Sequence, residues 1–266
     1  MHWMRTFLLW ASENSWLRER ATKWSFVRRA VRRFMPGETV DDAIRAAKAL
    51  QEKGIATVFT ELGENITHLS EAEAVADHYS TVLERLAAEK VDGEISLKLT
   101  HLGLDLSPEK TYALFRAIAQ KAHRLNNFVW IDMESSAYTD VTIEFYERAR
   151  KEFANTGLCV QAYLYRTEED IRRLMPLSPA IRLVKGAYRE PKEIAFPGKK
   201  EVDENYYRLA LRLLQATREN GIRVAYATHD MGLIGRIREQ AEQMGMAPND
   251  LEVQMLYGIR TREQVR

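Results

Sequence analysis

Cysteine and long apolar stretches are both scarce in this sequence. Cys159 is the single cysteine among 266 residues, so a disulfide bond within the chain is excluded, as is typical of a reducing compartment. No segment approaches the roughly 18 consecutive apolar residues of a transmembrane helix. A strong excess of one charge is also lacking, since 39 basic residues face 38 acidic ones, and this balance argues against a nucleic-acid partner.

Common signatures of enzymes are missing as well. No G-x-G-x-x-G motif follows the first predicted strand, which weakens a Rossmann interpretation, and no G-x-S-x-G motif indicates a serine hydrolase. His229 is the only histidine at the end of a predicted strand, and a metal ion needs three or more converging ligands, so we expect no metal site. The apolar neighbours of Cys159 predict a buried thiol.

The chain does contain a regular alternation of short apolar segments with helical patterns. The segments are rich in Val, Ile, Leu and aromatic residues, as expected of parallel strands covered on both faces. They begin about 33 residues apart, the length of one βα unit, so the sequence predicts a parallel sheet that is either doubly wound or closed into a barrel. The predicted strands are 55–60, 94–99, 128–132, 158–163, 181–185, 223–228 and 251–256.

Capping residues mark the helix boundaries. Thr39 and Gly54 enclose a predicted helix over 39–53, and Ser107 followed by Pro108 opens another. Two further segments have the pattern of a capping box, in which the first side chain caps the helix. These boxes begin at Ser70 and Thr167.

We divide the chain into an N-terminal helical arm (1–36) and an α/β barrel domain (37–266). A closed (βα)8 barrel needs eight strand-plus-helix units, and the sequence contains about seven. A new helix pattern opens at Thr261, but the sequence ends at Arg266, so we expect the last βα unit to be missing from this chain. The first and seventh strands would then each lack one neighbour.

The arm has an unusual composition. Residues 1–34 contain seven arginines and Lys23 against only Glu13 and Glu19, and they hold four of the five tryptophans of the chain. Basic residues and tryptophan on one helical segment are typical of a membrane-surface helix. A helix that packs its tryptophan face on the barrel explains the same composition, and both interpretations stay open.

Basic side chains lie on or next to the otherwise apolar strands. In a βα barrel the carboxyl ends of the strands face the active site, and Lys98, Arg182 and Lys185 fall at these ends. A buried cation is costly unless an anion pairs with it. Asp132 and Glu134 supply too few partners, so the surplus predicts an anionic ligand. For any one of these residues a structural ion pair is the alternative, and a Schiff-base lysine at position 98 or 185 is another.

Six strand motifs resemble successive strands of the bacterial proline dehydrogenase family. The similarity extends over residues 26–266, and the stretch R-L-V-K-G-A-Y from Arg182 is highly specific. The motifs are SLKLT from Ser96, IDME from Ile131, VQAY from Val160, IRLVKGAY from Ile181, YATHD from Tyr226 and EVQMLYG from Glu252.

The resemblance implies a distorted (βα)8 TIM-type barrel with FAD at its mouth. It implies oxidation of L-proline to Δ1-pyrroline-5-carboxylate, the first step of proline catabolism to glutamate, by hydride transfer from proline Cδ to flavin N5. A membrane quinone would then reoxidise the flavin. The expected location is cytoplasmic, and the composition of residues 1–34 suggests peripheral contact with the inner face of the cytoplasmic membrane.

The same resemblance implies roles for residues at the substrate. Lys98 would form an ion pair with the proline carboxylate, and Asp132 would orient the cationic groups around it. Ala187, Tyr188 and Leu256 would pack on the substrate ring. A carboxylate clamp is needed because proline offers only a carboxylate and an amine by which its pose can be fixed.

A larger set of residues is implied to bind FAD. Gln161 would hold the polar edge of the flavin ring, and Arg182 would hydrogen-bond near N5, where a cation favours acceptance of a hydride. Val184, Lys185 and Gly186 would line the ring. The residues implied for the adenylate and phosphate groups are Lys199, Lys200, Thr228 and His229.

The family's eighth strand and helix carry a further tyrosine and a Tyr-x-x-Arg-Arg motif, the main carboxylate clamp, which this sequence does not reach. We therefore expect this chain alone to show little proline oxidation.

Two other functions stay open. One is a Schiff-base lyase or aldolase on a similar barrel, and the other is a non-catalytic membrane-surface module.

Overall fold

The computed structural model of the chain describes residues 35–37, 39–63, 65–259, 261 and 263–264. They belong to two compact units, one made of 35–46 with 256–264 and the other of Ala47–Met255. The tryptophan-rich part of the arm (1–34) lies outside the described residues, so the structure does not test membrane contact there. Within the described ranges, no helix is both long enough and apolar enough to cross a bilayer.

Strands and helices alternate along the described chain, and all seven predicted strands are confirmed to within two residues at each end. The four helix starts predicted at Thr39, Ser70, Ser107 and Thr167 also lie within two residues of observed ones. The elements are α1 (Val40–Gln51), β1 (Thr57–Thr60), α2 (Leu69–Ala88), β2 (Gly93–Leu97), α3 (Pro108–Arg124), β3 (Val129–Ile131), α4 (Thr139–Glu152), β4 (Thr156–Gln161), α5 (Thr167–Leu174), β5 (Ile181–Val184), α6 (Lys199–Asn220), β6 (Val224–Ala227), α7 (Met231–Gln243) and β7 (Glu252–Gln254).

The seven strands form one parallel sheet in sequence order, β1 to β7. Each neighbouring pair is joined through a helix on the outside, which is the connectivity of an α/β barrel. Among the described strands, β1 pairs only with β2, and β7 pairs only with β6. The prediction that the first and seventh strands each lack one neighbour is therefore confirmed.

Side-chain contacts show that this sheet is strongly curled. In a flat sheet, β2 and β6 would be about 19 Å apart, because neighbouring strands are spaced by about 4.8 Å. Arg223, which precedes β6, nevertheless places Nη1 2.6 Å from Oε1 of Glu94 on β2. Arg182 on β5 likewise places Nη1 3.0 Å from Oγ of Ser96 on β2. Contacts across the concave face require barrel-like curvature, so the predicted TIM-type fold is confirmed.

The main core lies between this sheet and the helices outside it. Leu83, Phe115 and Tyr146 of the helices are fully buried, as are Ile95 and Leu158 of the strands. The predicted burial of the cysteine thiol is confirmed. Because the apolar residues of the strands fill this outer layer, the polar residues that alternate with them face the interior of the barrel.

The predicted cap at Ser107 is confirmed, since its hydroxyl accepts a hydrogen bond from the amide N–H of Lys110 at 3.3 Å, with Pro108 in the first helical position. The predicted cap at Thr39 is also confirmed, because its Oγ1 accepts from the amide N–H of Asp42 at 3.2 Å. Gly54 follows α1 with a φ of 74°, a conformation that glycine adopts without strain.

The two predicted capping boxes are wrong. Helix α2 begins one residue before Ser70, with His68 in the N-cap position, and the backbone carbonyl of His68 accepts the first hydrogen bond, from Glu71. Helix α5 begins at Thr167 itself, which is therefore not a cap. The Thr167 hydroxyl instead donates to the carbonyl of Gln161 at 2.5 Å, so a contact with the preceding strand replaces the local cap.

Candidate active site

The predicted site residues of the larger unit collect at one edge of the sheet. Because all strands are parallel and paired in register, their carboxyl ends meet there. Lys98 follows β2, Asp132 follows β3, and Gln161 ends β4. The remaining residues lie on or after β5 and β6, or at the start of α6: Arg182, Val184, Lys185, Gly186, Ala187, Tyr188, Lys199, Lys200, Thr228 and His229.

A buried arginine lies at the centre of this edge. Nη1 of Arg182 donates to Oδ1 of Asp132 at 2.8 Å and to Oγ of Ser96 at 3.0 Å, and only 8% of Arg182 is exposed. Burial raises the pKa of Asp132, while the positive charges of Arg182 and Lys98 oppose that rise. Lys98 is thus close enough to act on the carboxylate. These three residues, predicted separately, form one electrostatic group.

Three buried polar groups on Arg182 and Gln161 have no hydrogen-bond partner among the described residues. They are Nε and Nη2 of Arg182 and Oε1 of Gln161. The amide of Gln161 is held in a fixed orientation, because Nε2 donates to the carbonyls of Met133 at 2.8 Å and Glu134 at 2.9 Å. A buried group left without a partner costs about 1–3 kcal/mol. Two donors and one acceptor are therefore ready for a polar ligand.

Hydrogen bonds hold the loops around these groups together. Glu134, which is 3% exposed, accepts from the amide N–H and the hydroxyl of Thr100 at 3.1 and 2.5 Å, joining the loops after β2 and β3. Glu190 accepts from the amide N–H and the hydroxyl of Ser136 at 2.7 and 2.5 Å, joining the loops after β5 and β3. The edge is thus built of loops that support one another.

Lys185 lies in a separate group of charges. Its Nζ contacts Asp203 and lies 3.0 Å from Oδ2 of Asp230, and Lys199 contacts the same two carboxylates. The hydrogen bond from Lys185 lowers the pKa of Asp230 to about 2. Lys185 therefore does not belong to the predicted surplus of cations, since two carboxylates pair with it, and its role at the cofactor stays a prediction. The predicted surplus counts only Asp132 and Glu134, and it omits both Asp230, which follows β6, and Asp203, which lies on α6.

Gly186 occupies a position where a side chain does not fit. Its φ is 117°, and a Cβ added there would lie 2.3 Å from Cδ1 of Tyr163. The amide N–H of Tyr163 donates to the carbonyl of Lys185 at 2.9 Å, so the loop after β5 runs directly against the end of β4. This glycine allows the chain to turn at the site while it stays in contact with the tyrosine ring.

Replacing Gly186 with alanine is expected to destabilise the protein by about 1–3 kcal/mol, because the backbone is in a conformation unfavourable for L-residues and the methyl group meets the ring. Urea unfolding measures this change. Gly235 is the matched control, since it lies on α7 with nothing within 4 Å of an added Cβ. Gly235→Ala should be neutral or stabilising. Equal stability of the two variants would contradict the argument.

Other predicted residues are placed but remain untested in their roles. Thr228 is buried, and its hydroxyl accepts from the amide N–H of Asp230 at 3.2 Å. The side chain of Lys200 is 89% exposed and pairs with Glu204 at 3.8 Å. Leu256 belongs to the other compact unit and is 67% exposed, and its role at the substrate ring stays a prediction.

The residues that were given no role before the structure are Ser96, Asp203 and Asp230. Ser96 alternates along β2 with buried apolar residues, and this pattern places it on the same face as Lys98. Asp230 belongs to a strand-end motif and could have been found from its position. In the described ranges, no group of three or more His, Cys, Asp or Glu side chains could hold a metal ion.

The comparison with known proteins agrees with this arrangement. Residues 43–263 match the family model described as proline dehydrogenase. The chain is 36% identical to proline dehydrogenase 1 of Bacillus subtilis strain 168 over 262 residues. This alignment covers 98% of this chain and 85% of that protein. It is 35% identical over 233 residues to the proline dehydrogenase of Deinococcus radiodurans, covering 86% of this chain and 74% of that protein.

A solved structure of similar fold is that of proline utilization A from Bdellovibrio bacteriovorus inactivated by N-propargylglycine. It superposes with a TM-score of 0.80 at 27% sequence identity, over 90% of this chain and 29% of that one. This chain therefore spans less than a third of that protein, whose barrel it resembles. With a family match over most of its length and two relatives above 30% identity, the chain belongs to the proline dehydrogenase family, whose members are oxidoreductases of proline catabolism.

Proposed function

We propose that this chain oxidises L-proline to Δ1-pyrroline-5-carboxylate with FAD as the hydride acceptor. The observation that carries the proposal is the group of unpartnered buried atoms on Arg182 and Gln161, located at the carboxyl edge of a barrel from the proline dehydrogenase family. Family membership favours this reaction over the Schiff-base lyase and the non-catalytic module. The charge group around Lys185 also argues against a Schiff-base role, because its amine is engaged in ion pairs with two carboxylates.

The residues present fit a flavin. The isoalloxazine ring offers both N–H and carbonyl groups along one edge, and these complement the free oxygen of Gln161 and the free N–H groups of Arg182. Bound FAD would supply a two-electron acceptor for the hydride of proline. We assign contacts with the remainder of FAD to Val184, Lys185, Gly186, Lys199, Lys200, Thr228 and His229.

The protein's own contribution is to bind and orient proline. Lys98 is half-buried beside Asp132, so its ammonium is placed in a partly desolvated region where attraction to a carboxylate is strong. Ala187 and Tyr188 follow β5 at the same edge and supply contact for the ring. Arg182 supplies a guanidinium at the same edge. Together these groups would hold Cδ of proline in one pose towards the acceptor.

We also propose that electrons pass to a membrane quinone and that the arm brings the protein to the membrane. Eight basic residues and four tryptophans within 1–34 support the proposal, because such segments bind anionic lipid. This would make the protein a peripheral one on the cytoplasmic face. Binding to vesicles with anionic lipid, compared between the full chain and a chain without residues 1–24, tests the idea, and equal binding would contradict it.

The absorbance spectrum of the purified chain tests the assignment of the cofactor. We expect the visible bands of a flavin and, after denaturation, the release of a dinucleotide with the mass of FAD. A colourless protein that borohydride links covalently to a carbonyl compound through a lysine would instead support the lyase. A colourless protein without such a link, bound to vesicles, would support the non-catalytic module.

A further inference from the structure

A tryptophan fills the interior of the barrel next to Arg182. Trp130 on β3 is completely buried, and its ring lies within cation–π distance of two guanidinium groups. The Cζ atom of Arg182 lies 4.6 Å from the ring centroid, and that of Arg223 lies 5.1 Å from it. Since Arg182 comes from β5 and Arg223 precedes β6, the indole makes contacts across the concave face of the sheet.

The sequence leaves room for this indole on the neighbouring strands. Gly157 on β4 pairs in register with Trp130, and a Cβ added at Gly157 would lie 2.5 Å from Cζ3 of the indole. The buried cluster around the ring is completed by Ala180 and Ala225, which are also small. The position is therefore shaped for one large aromatic side chain rather than for general apolar filling.

Charged groups fix the indole in place. Its Nε1 donates to Oε2 of Glu94 at 2.7 Å. Glu94 also accepts two hydrogen bonds from Arg223, at 2.6 and 3.0 Å, and Arg223 donates to Glu252 at 2.8 Å. This interior network lies on the side of the ring system away from the strand ends, since Glu94, Arg223 and Glu252 all lie at the starts of their strands.

In contrast to the indole, the guanidinium of Arg182 is only partly held by its hydrogen bonds. Both of its described hydrogen bonds, to Asp132 and Ser96, leave from Nη1, while Nε and Nη2 have no partner in the described residues. Because both hydrogen bonds leave from one nitrogen, they restrain the orientation of the guanidinium plane only in part. The contact with the ring of Trp130 is the additional restraint on the plane.

We infer that Trp130 is a positioning residue for the site. Its indole is held by the Glu94–Arg223–Glu252 network, and its ring in turn restrains the guanidinium plane of Arg182. Nε and Nη2 of Arg182 thereby stay oriented towards the ligand. The nature of that ligand rests on the proposed function. The contact between the ring and the guanidinium does not, so the two can be tested separately.

The first test is a double-mutant cycle on urea unfolding with Trp130→Met, Arg182→Met and the double variant. Met has no π face, but it is an apolar and flexible side chain that can fill part of the space left by the indole. If the two substitutions acted independently, each would reduce the folding equilibrium constant of the double variant by the same factor as in the single variant. We expect the measured constant to be about 2- to 30-fold higher than this independent value, which is the range of a cation–π contact. An additive cycle would overturn the inference, whether or not flavin is bound.

The second test compares Trp130→Phe with Trp130→Met in the flavin-loaded protein. Phe keeps a ring face but loses the N–H that donates to Glu94, so KM for proline should rise less than with Met, and the flavin midpoint potential should lie between the Met and wild-type values. Met should raise KM several-fold, with a smaller change in kcat, and should shift the potential to more negative values. Phe115→Leu is the control, because Phe115 is completely buried on α3 but packs against other helix aromatics.

The outcomes separate the two proposals. The positioning role is supported by two results together. Phe115→Leu should lose stability without a change in KM or flavin potential, and Trp130→Phe should shift KM and the potential less than Trp130→Met does. Equal shifts in Trp130→Phe and Trp130→Met would overturn it, and this comparison with the conservative variant remains decisive if the Met variant folds poorly. A wild-type chain that holds no flavin would contradict the proposed function, and the unfolding cycle alone would then decide the role of Trp130.

Discussion

Replacing Arg182 with methionine is expected to cost about 3 kcal/mol of stability and most of the bound flavin. Breaking a buried ion pair costs about 3–5 kcal/mol because the remaining charge is left uncompensated. We expect the lower end of this range, because the positive charge of Lys98 still attracts the carboxylate of Asp132 after Arg182 is removed. The flavin is lost because the free N–H groups that would bind it are removed. Urea unfolding and the ratio of flavin to protein absorbance measure the two effects.

The stability deficit of this variant should depend on pH in a defined direction. Burial raises the pKa of Asp132 in the folded protein, so the folded state favours the neutral carboxyl. Removal of Arg182 strengthens that preference, and the deficit is then largest at neutral pH. It should narrow as the pH falls and Asp132 takes up a proton, since a neutral carboxyl needs no cation.

Arg173→Met provides a matched control for the loss of one guanidinium. Arg173 pairs with Glu147 at 2.7 Å on the surface, where 42% of its side chain is exposed. Such pairs contribute about 0–1 kcal/mol, and this one lies outside the site. If Arg182→Met retained the stability and flavin content of Arg173→Met, Arg182 would be neither a structural centre nor a ligand of the cofactor.

Replacing Lys98 with alanine is expected to raise KM for proline by roughly 10- to 100-fold while leaving flavin content unchanged. A hydrogen bond to a charged group contributes about 1.5–3 kcal/mol, which corresponds to that change in affinity. The position of Lys98 beside Asp132, at the same edge as Ala187 and Tyr188, motivates the expectation. Steady-state proline:dye reduction gives KM and kcat, and the visible spectrum gives flavin content.

Two further variants sharpen this test. Lys98→Arg keeps the charge and should recover part of the affinity, although a guanidinium and an ammonium place their donors differently. Lys110→Ala removes a lysine of the same chemistry from a surface pair with Glu73 on α2 and should leave KM unchanged. If KM for Lys98→Ala equalled that of Lys110→Ala, the assignment of Lys98 to the substrate carboxylate would be wrong.

The strands could be predicted from the sequence because burial on both faces leaves a strong local pattern. Even so, the pattern reaches past the observed strand ends, as at Lys98 and Asp132, since the buried apolar residues Leu99 and Met133 follow them in the loops. Two capping boxes were wrong for a related reason. A local motif describes what a side chain can do, whereas Thr167 finds a better partner in the carbonyl of Gln161 on the preceding strand.

The charge pairing of the site could be predicted only in part. Asp132 was recognised because it follows a strand, and the structure pairs it with Arg182. The partner Asp203 lies on α6, and only the folded chain brings it to Lys185. The same limitation applies to Trp130, whose surroundings combine a glycine and two arginines from three other segments. Contacts across a curled sheet leave no periodic pattern in the sequence.

The central claim is that this barrel oxidises proline through a bound flavin. The most direct measurement is anaerobic mixing of the purified, flavin-containing chain with L-proline while the visible spectrum is recorded, followed by trapping of the product. We expect the flavin bands to bleach and Δ1-pyrroline-5-carboxylate to form in an amount equal to the reduced flavin. Flavin that stays oxidised at saturating L-proline, in a protein that is folded and fully loaded, would contradict it.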